Sequence, residues 1–156
     1  MSLRSFLEPR ITTLITSTTL RDRRRRFVEL WRKIRGTPHR VHYFHQVDDP
    51  YSHLAAQMLE PFLRRYDVDL RVHLVGPPSD AAAPERARLV AFSREDAARV
   101  AAARRLSFRD PGAQPSTERI VAATRILAAA AREPRAFAAI APRVGEALWN
   151  ADDEAM

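Results

Sequence analysis

The sequence predicts a mostly helical α/β fold built around one βαβ unit, and three observations predict it. Val41-His42-Tyr43-Phe44-His45-Gln46-Val47 is a β-branched and aromatic run. Val68, Leu70, Val72 and Leu74 alternate with Asp69, Arg71 and His73. Most of the remaining apolar residues recur at helical spacing. The period of two in the second run gives a strand with one inward face. Between the runs, Leu54, Ala55, Met58, Leu59, Phe62, Leu63 and Tyr66 mark one helix with an apolar stripe, and Pro61 inside it predicts a kink. Strand, helix and strand at this spacing imply two parallel strands joined by a right-handed crossover, closed by Gly76-Pro77-Pro78.

The flanking segments read as helices. Leu3, Phe6, Leu7, Ile11, Leu14 and Ile15 recur at helical spacing, as do Phe27, Leu30, Trp31 and Ile34. Residues 1–37 are therefore expected to form a basic amphipathic helical arm, as two helices or one interrupted helix, ended by Gly36-Thr37-Pro38. Beyond the second strand, one helical segment is expected to start within Glu85–Leu89. Ser93-Arg94-Glu95-Asp96 has the pattern of a capping box for a second segment, with Ala97, Val100, Ala101 and Leu106 following. Asp110-Pro111-Gly112 and Gln114-Pro115-Ser116 mark a loop. A helix then carries Ile120, Val121, Thr124, Leu127 and Ala131, and Pro134 opens a last one with Phe137, Ile140, Val144 and Leu148.

The charge is unevenly placed. Of the net +7, residues 1–40 hold eleven Lys/Arg against Glu8, Asp22 and Glu29, a surplus of eight, and the rest is close to neutral. With no cysteine, the chain has no disulfide, no thiolate nucleophile and no cysteine metal site of its own. It shows no secretory pattern and no apolar run of membrane-spanning length, so a cytoplasmic location is the expectation.

The candidate site is the turn between the first strand and its helix, Asp48-Asp49-Pro50-Tyr51-Ser52. A helix N-terminus offers unpaired N–H groups and about half a positive charge, which stabilises an anion such as a thiolate. Val41-His42-Tyr43-Phe44 followed by Asp49-Pro50-Tyr51-Ser52 and Leu54-Ala55-Ala56 resembles the family of DsbA-type oxidoreductases, kappa-class glutathione transferases and 2-hydroxychromene-2-carboxylate isomerases. The isomerase and transferase branch is the nearer one, with a Ser-Pro-Tyr-Ser/Ala turn. Ala101–Phe108 is also similar to that branch.

The resemblance implies that residues 38–156 are a partial thioredoxin-like domain with a helical insertion at about 85–151, lacking the C-terminal ββα half. It further implies a glutathione-dependent isomerase or transferase acting on small aromatic substrates. Asp49 and Ser52 would be catalytic, Pro50, Tyr51 and Ser52 would bind glutathione, and no metal is expected. Asp49, however, stands where that branch has the serine that donates to the glutathione sulfur. An ionised aspartate donates nothing and repels a thiolate. The alternative is a non-catalytic thioredoxin-like scaffold that binds a protein partner or a small acid.

Bland roles compete with each of these. Asp48 and Asp49 are also good helix caps, Ser52 can extend the cap, and Tyr51 can simply pack. His45, Asp49 and His53 could converge on a metal, but their spacing matches no known site. His42 and His73 fit a structural pair on neighbouring strands. For partners, a small-molecule ligand at the turn is one expectation, and a homo-oligomer or the missing C-terminal half is another. Arg21, Arg23, Arg24, Arg25 and Arg26 read first as part of a solvated helical connector whose apolar face packs on the domain or on a second copy, with contact to nucleic acid or membrane as the lesser reading.

Overall fold

A computed structural model describes residues 18–149 and divides the chain into two compact units, Met1–His39 and Arg40–Met156. The first apolar series of the arm, Leu3 to Ile15, lies outside the described residues. In the first unit, α1 (Thr18–Ile34) carries the second series and has no buried residue. It ends in a Schellman arrangement. Gly36 takes a left-handed φ of 61°, its N–H bonds Lys33 O at 3.1 Å, and Thr37 N bonds Arg32 O at 3.2 Å. The stop signal Gly36-Thr37 thus works by satisfying two end carbonyls. Glu29 bridges Arg32 and His39 at 2.7 and 3.0 Å.

β1 (His39–Gln46) leads into the second unit, and Val41, Tyr43, His45 and Val47 alternate inward while His42 and Phe44 face out. It pairs with β2 (Val68–Val75) in a two-stranded parallel sheet. The connection holds two helices, α2 (Pro50–Gln57) and α3 (Leu59–Arg65), rather than one kinked helix. The reason is Pro61, which has no N–H for the carbonyl four residues earlier, that of Gln57, and whose ring crowds it. The first helix ends there, and the Met58 N–H turns back to Ala55 O at 3.0 Å.

The segment after β2 differs from expectation in the opposite sense. One continuous helix, α4 (Arg86–Arg104), runs through Ser93. A capping box works only where backbone N–H groups lack partners. No Gly or Pro separates Leu89 from Ser93, so the earlier turn supplies those partners. α4 stops at Arg105, the one non-glycine residue with a left-handed φ (57°) among those described. Leu106 N then returns to Ala101 O at 2.9 Å.

α5 (Thr117–Ala130) is capped by Ser116, whose hydroxyl accepts from Arg119 N at 3.4 Å. α6 (Pro134–Trp149) opens on Pro134, where the missing N–H costs nothing. α5 and α6 close over the inward sheet face. Phe137, fully buried, meets the Tyr43 and His45 rings edge-on at 6.1 and 5.4 Å. Leu70, Leu127, Ala141 and Leu148 complete that layer. Burying a ring such as Phe137 contributes about 1.5–3 kcal/mol. A second cluster, Leu54 with Ala97 and Ala101, fastens α2 to α4. α2, which carries the candidate turn, is held between α4 and α6.

The outward sheet face is open among the described residues. Phe44, 61% exposed, stacks on His73 at 4.9 Å, and His73 stacks on His42 with Nε2 and Nδ1 2.8 Å apart. Asp69 joins Arg40 and Arg71 on the same face. None of the described helices is long and apolar enough to cross a membrane.

Candidate functional site

The turn between β1 and α2 is built by its own polar groups. Asp49 is the N-cap of α2, in extended backbone (φ −107°, ψ 122°), with Pro50 at the first helical position. The Asp49 carboxylate accepts both the backbone N–H and the hydroxyl of Ser52, each at 2.8 Å. The Ser52 hydroxyl in turn accepts the N–H of Gln46 at 3.2 Å, which ties the last residue of the strand to the helix start. Asp49 O receives the His53 N–H at 3.2 Å. Of the two aspartates, Asp49 is the cap. Asp48 instead accepts from the Gln46 carboxamide at 3.1 Å, while its carbonyl accepts from Gln114 Nε2 at 3.1 Å.

Tyr43 supports the turn from the strand. Its hydroxyl donates to Ser52 O at 3.1 Å and lies 3.0 Å from His45 Nδ1. A phenol has one hydrogen, so with that hydrogen on Ser52 O the His45 ring must supply the other, as the neutral Nδ1–H tautomer. Burial enforces this neutrality. It pushes Tyr43 above its ordinary range, reinforced by the Asp49 charge. It also lowers His45 to about 4, with His53 adding to the effect.

Tyr51 leaves the turn and donates to Asp96 on α4 at 2.5 Å. That hydrogen bond raises its pKa to about 12, so the phenol stays protonated and engaged. His53 is buried one turn into α2, with Nε2 3.0 Å from Ser107 O. Desolvation lowers its pKa, and Nδ1 is left without a hydrogen-bond partner in the structure. Gly145 of α6 is why the ring fits. A β-carbon there would lie 2.1 Å from His53 Nδ1. Gln57 completes the arrangement by exchanging two hydrogen bonds with the Ser107 backbone, both 2.8 Å.

Asp49, Pro50 and Ser52 are thus gathered at the helix start, whereas Tyr51 is turned toward α4. His45, Asp49 and His53 do not converge, and among the described residues no group of three or more His, Asp or Glu could hold a metal. Tyr43, Gln46, Asp96 and Gln114 were not singled out from the sequence. Only Tyr43 carried a signal, its place on the inward face of an alternating strand. A concavity of about 340 Å³ at the C-terminal ends of the strands is lined by Asp48, Val47, Leu74 and Thr124 rather than by Asp49 and Ser52. The Thr124 hydroxyl already donates to Ile120 O at 2.7 Å, and the one charge there is a carboxylate. Such a cleft repels acids.

Chemically, the turn has little left to offer a ligand. The positive end of α2 already faces the Asp49 carboxylate, and the single hydroxyl hydrogen of Ser52 is committed to it. Compared with protein-family models, curated proteins and solved structures, the chain has no significant match in any of the three.

Proposed function

We propose that this chain is a thioredoxin-like scaffold whose turn is structural, and which binds a protein partner rather than carrying out glutathione chemistry. The observation that carries the reading is the pair of 2.8 Å bonds from Ser52 N and Oγ to the Asp49 carboxylate. A thiolate at this helix start would have to displace a covalently tethered anion that holds the same donors. The small-acid form of the scaffold reading meets the same obstacle, with Asp48 adjacent. A protein partner is favoured by the sheet. Among the described residues, two strands leave two outer edges and one uncovered face, and such a sheet is marginal until it gains strands or cover. Addition of an extended segment to one of those edges supplies the further strand.

Calorimetric titration of glutathione into the full chain, with Asp49→Ser alongside, separates the readings. The wild type is expected to give no saturable heat up to millimolar glutathione. Saturable wild-type binding that Ser52→Ala removes would restore the isomerase or transferase reading, with Asp49 and Ser52 in the site. For the partner, amide exchange of β1 and β2 in the isolated chain is informative. Slow exchange along both outer edges would mean that they are already covered, and would remove the case for strand addition.

A further inference from the structure

Within the first unit, α1 carries an apolar stripe and has no buried residue. Phe27, Leu30, Trp31 and Ile34 are spaced as one helical face and are between 46 and 68% exposed. The Phe27 and Trp31 rings meet edge-on at 6.4 Å, and the Arg35 guanidinium lies 5.1 Å over the Trp31 ring. At about 100° per residue, Arg24 and Arg26 lie on the two flanks of the stripe and Arg23 lies at its N-terminal end. The helix's acids, Asp22 and Glu29, fall on the far side, where Glu29 is occupied by Arg32 and His39.

We infer that α1 docks in the plane of an anionic phospholipid surface, seating Phe27, Leu30, Trp31 and Ile34 at the headgroup–acyl boundary with arginines against the phosphates. An apolar face bordered by cations, with Trp and Phe on it, is what such an interface requires. A second copy of the helix fits poorly. Among the described residues both flanks are cationic and no acid borders the stripe, so face-to-face pairing would place arginines against arginines. Nucleic acid would satisfy the arginines but leave Leu30 and Ile34 in water, since phosphate contacts need no aliphatic stripe.

The test is co-sedimentation of the full chain with vesicles of phosphatidylcholine alone and of phosphatidylcholine with about a third phosphatidylglycerol, at fixed salt. Binding is expected only to the anionic vesicles. Arg23→Gln/Arg24→Gln/Arg26→Gln should weaken it by about 150-fold, at about fivefold per charge. Phe27→Ser/Trp31→Ser should weaken it at least tenfold at unchanged charge. Neither variant alters a buried residue, so both should keep the wild-type unfolding transition of the second unit. Three outcomes would overturn the inference: no difference between the two vesicle types; loss of binding with the arginine variant but not with the stripe variant; or tighter binding to a duplex oligonucleotide than to the vesicles. Sedimentation equilibrium showing oligomers that Phe27→Ser/Trp31→Ser dissolves would assign the stripe to a second copy instead.

Discussion

Gly145→Ala is the sharpest probe of how the candidate turn is held. The added methyl would lie 2.1 Å from His53 Nδ1 and 2.9 Å from Cγ and Cε1, all atoms of a ring 3% exposed and anchored to Ser107 O. The ring cannot swing aside without giving up that bond, and α6 cannot back away without opening the layer around Phe137 and Leu148. Overpacking of this kind costs about 1–3 kcal/mol, and loss of the His53 bond about 1 kcal/mol more. Alanine returns about 1 kcal/mol of helix propensity. The net expectation is a loss of about 2 kcal/mol, or roughly a 1 M lower urea midpoint for a domain of this size. Combined with His53→Ala the clash vanishes, so Gly145→Ala should become neutral or stabilising and the double-mutant cycle should show coupling of about 2 kcal/mol. Urea unfolding followed by circular dichroism reads all four proteins. Unchanged or increased stability of Gly145→Ala in the wild-type background, or a coupling near zero, would refute the packing argument.

Two further predictions follow from single groups. Burial holds His45 at about 4 when folded, against about 6.5 when unfolded, so below pH 6.5 the unfolded chain takes up a proton that the folded chain excludes. Stability should therefore be complete above about pH 6.5 and fall by about 3 kcal/mol on acidification to about pH 4. His53 acts in the same direction. Urea midpoints across that range should show the slope, His45→Asn should reduce it, and a flat wild-type profile would contradict the assigned burial. At the end of α4, Arg105 sits at φ 57°, a conformation that glycine adopts without strain. Arg105→Gly should stabilise by about 0.5–1 kcal/mol in thermal melts, and a destabilised variant would show that the arginine side chain holds the turn.

Parts of this molecule could be read in advance because they depend on local chemistry. The alternation Val41, Tyr43, His45, Val47 states which face of β1 is inward. Asp49 before Pro50 states a cap and a first turn, and Pro134 states the start of α6. Other parts required partners distant in sequence. Whether Ser93 caps a helix depends on whether a helix has already begun, so the pattern at Ser93 looked the same inside α4 as it would at its start. Pro61 signalled a disturbance, but a kink and a break differ only in whether Met58 finds a carbonyl within the preceding turn. Tyr51 could not be placed without knowing that α4 would bring Asp96 beside it. Gly145 carried no sign of its importance, because its reason is an imidazole on another helix. The candidate turn followed the same division. Its place between β1 and α2 was legible from Asp49-Pro50-Tyr51-Ser52, whereas the saturation of Ser52 by Asp49 emerged only from the distances.

The pairing of Gln57 with Ser107 bears on the order in which this chain can fold. A side-chain carboxamide there takes both backbone bonds of a residue 50 positions later, much as a neighbouring strand would. β1 and α2 can meet early, since only a few residues separate them. The clasp must wait until β2 and the whole of α4 have been traversed, and the seat of His53 under Gly145 must wait for α6. Contacts of such long sequence separation close slowly, after the local ones. The local Asp49–Ser52 bonds can thus form early, whereas the clasp and the seat of His53 are expected among the last contacts to be made, and their integrity reports on whether the second unit has finished folding.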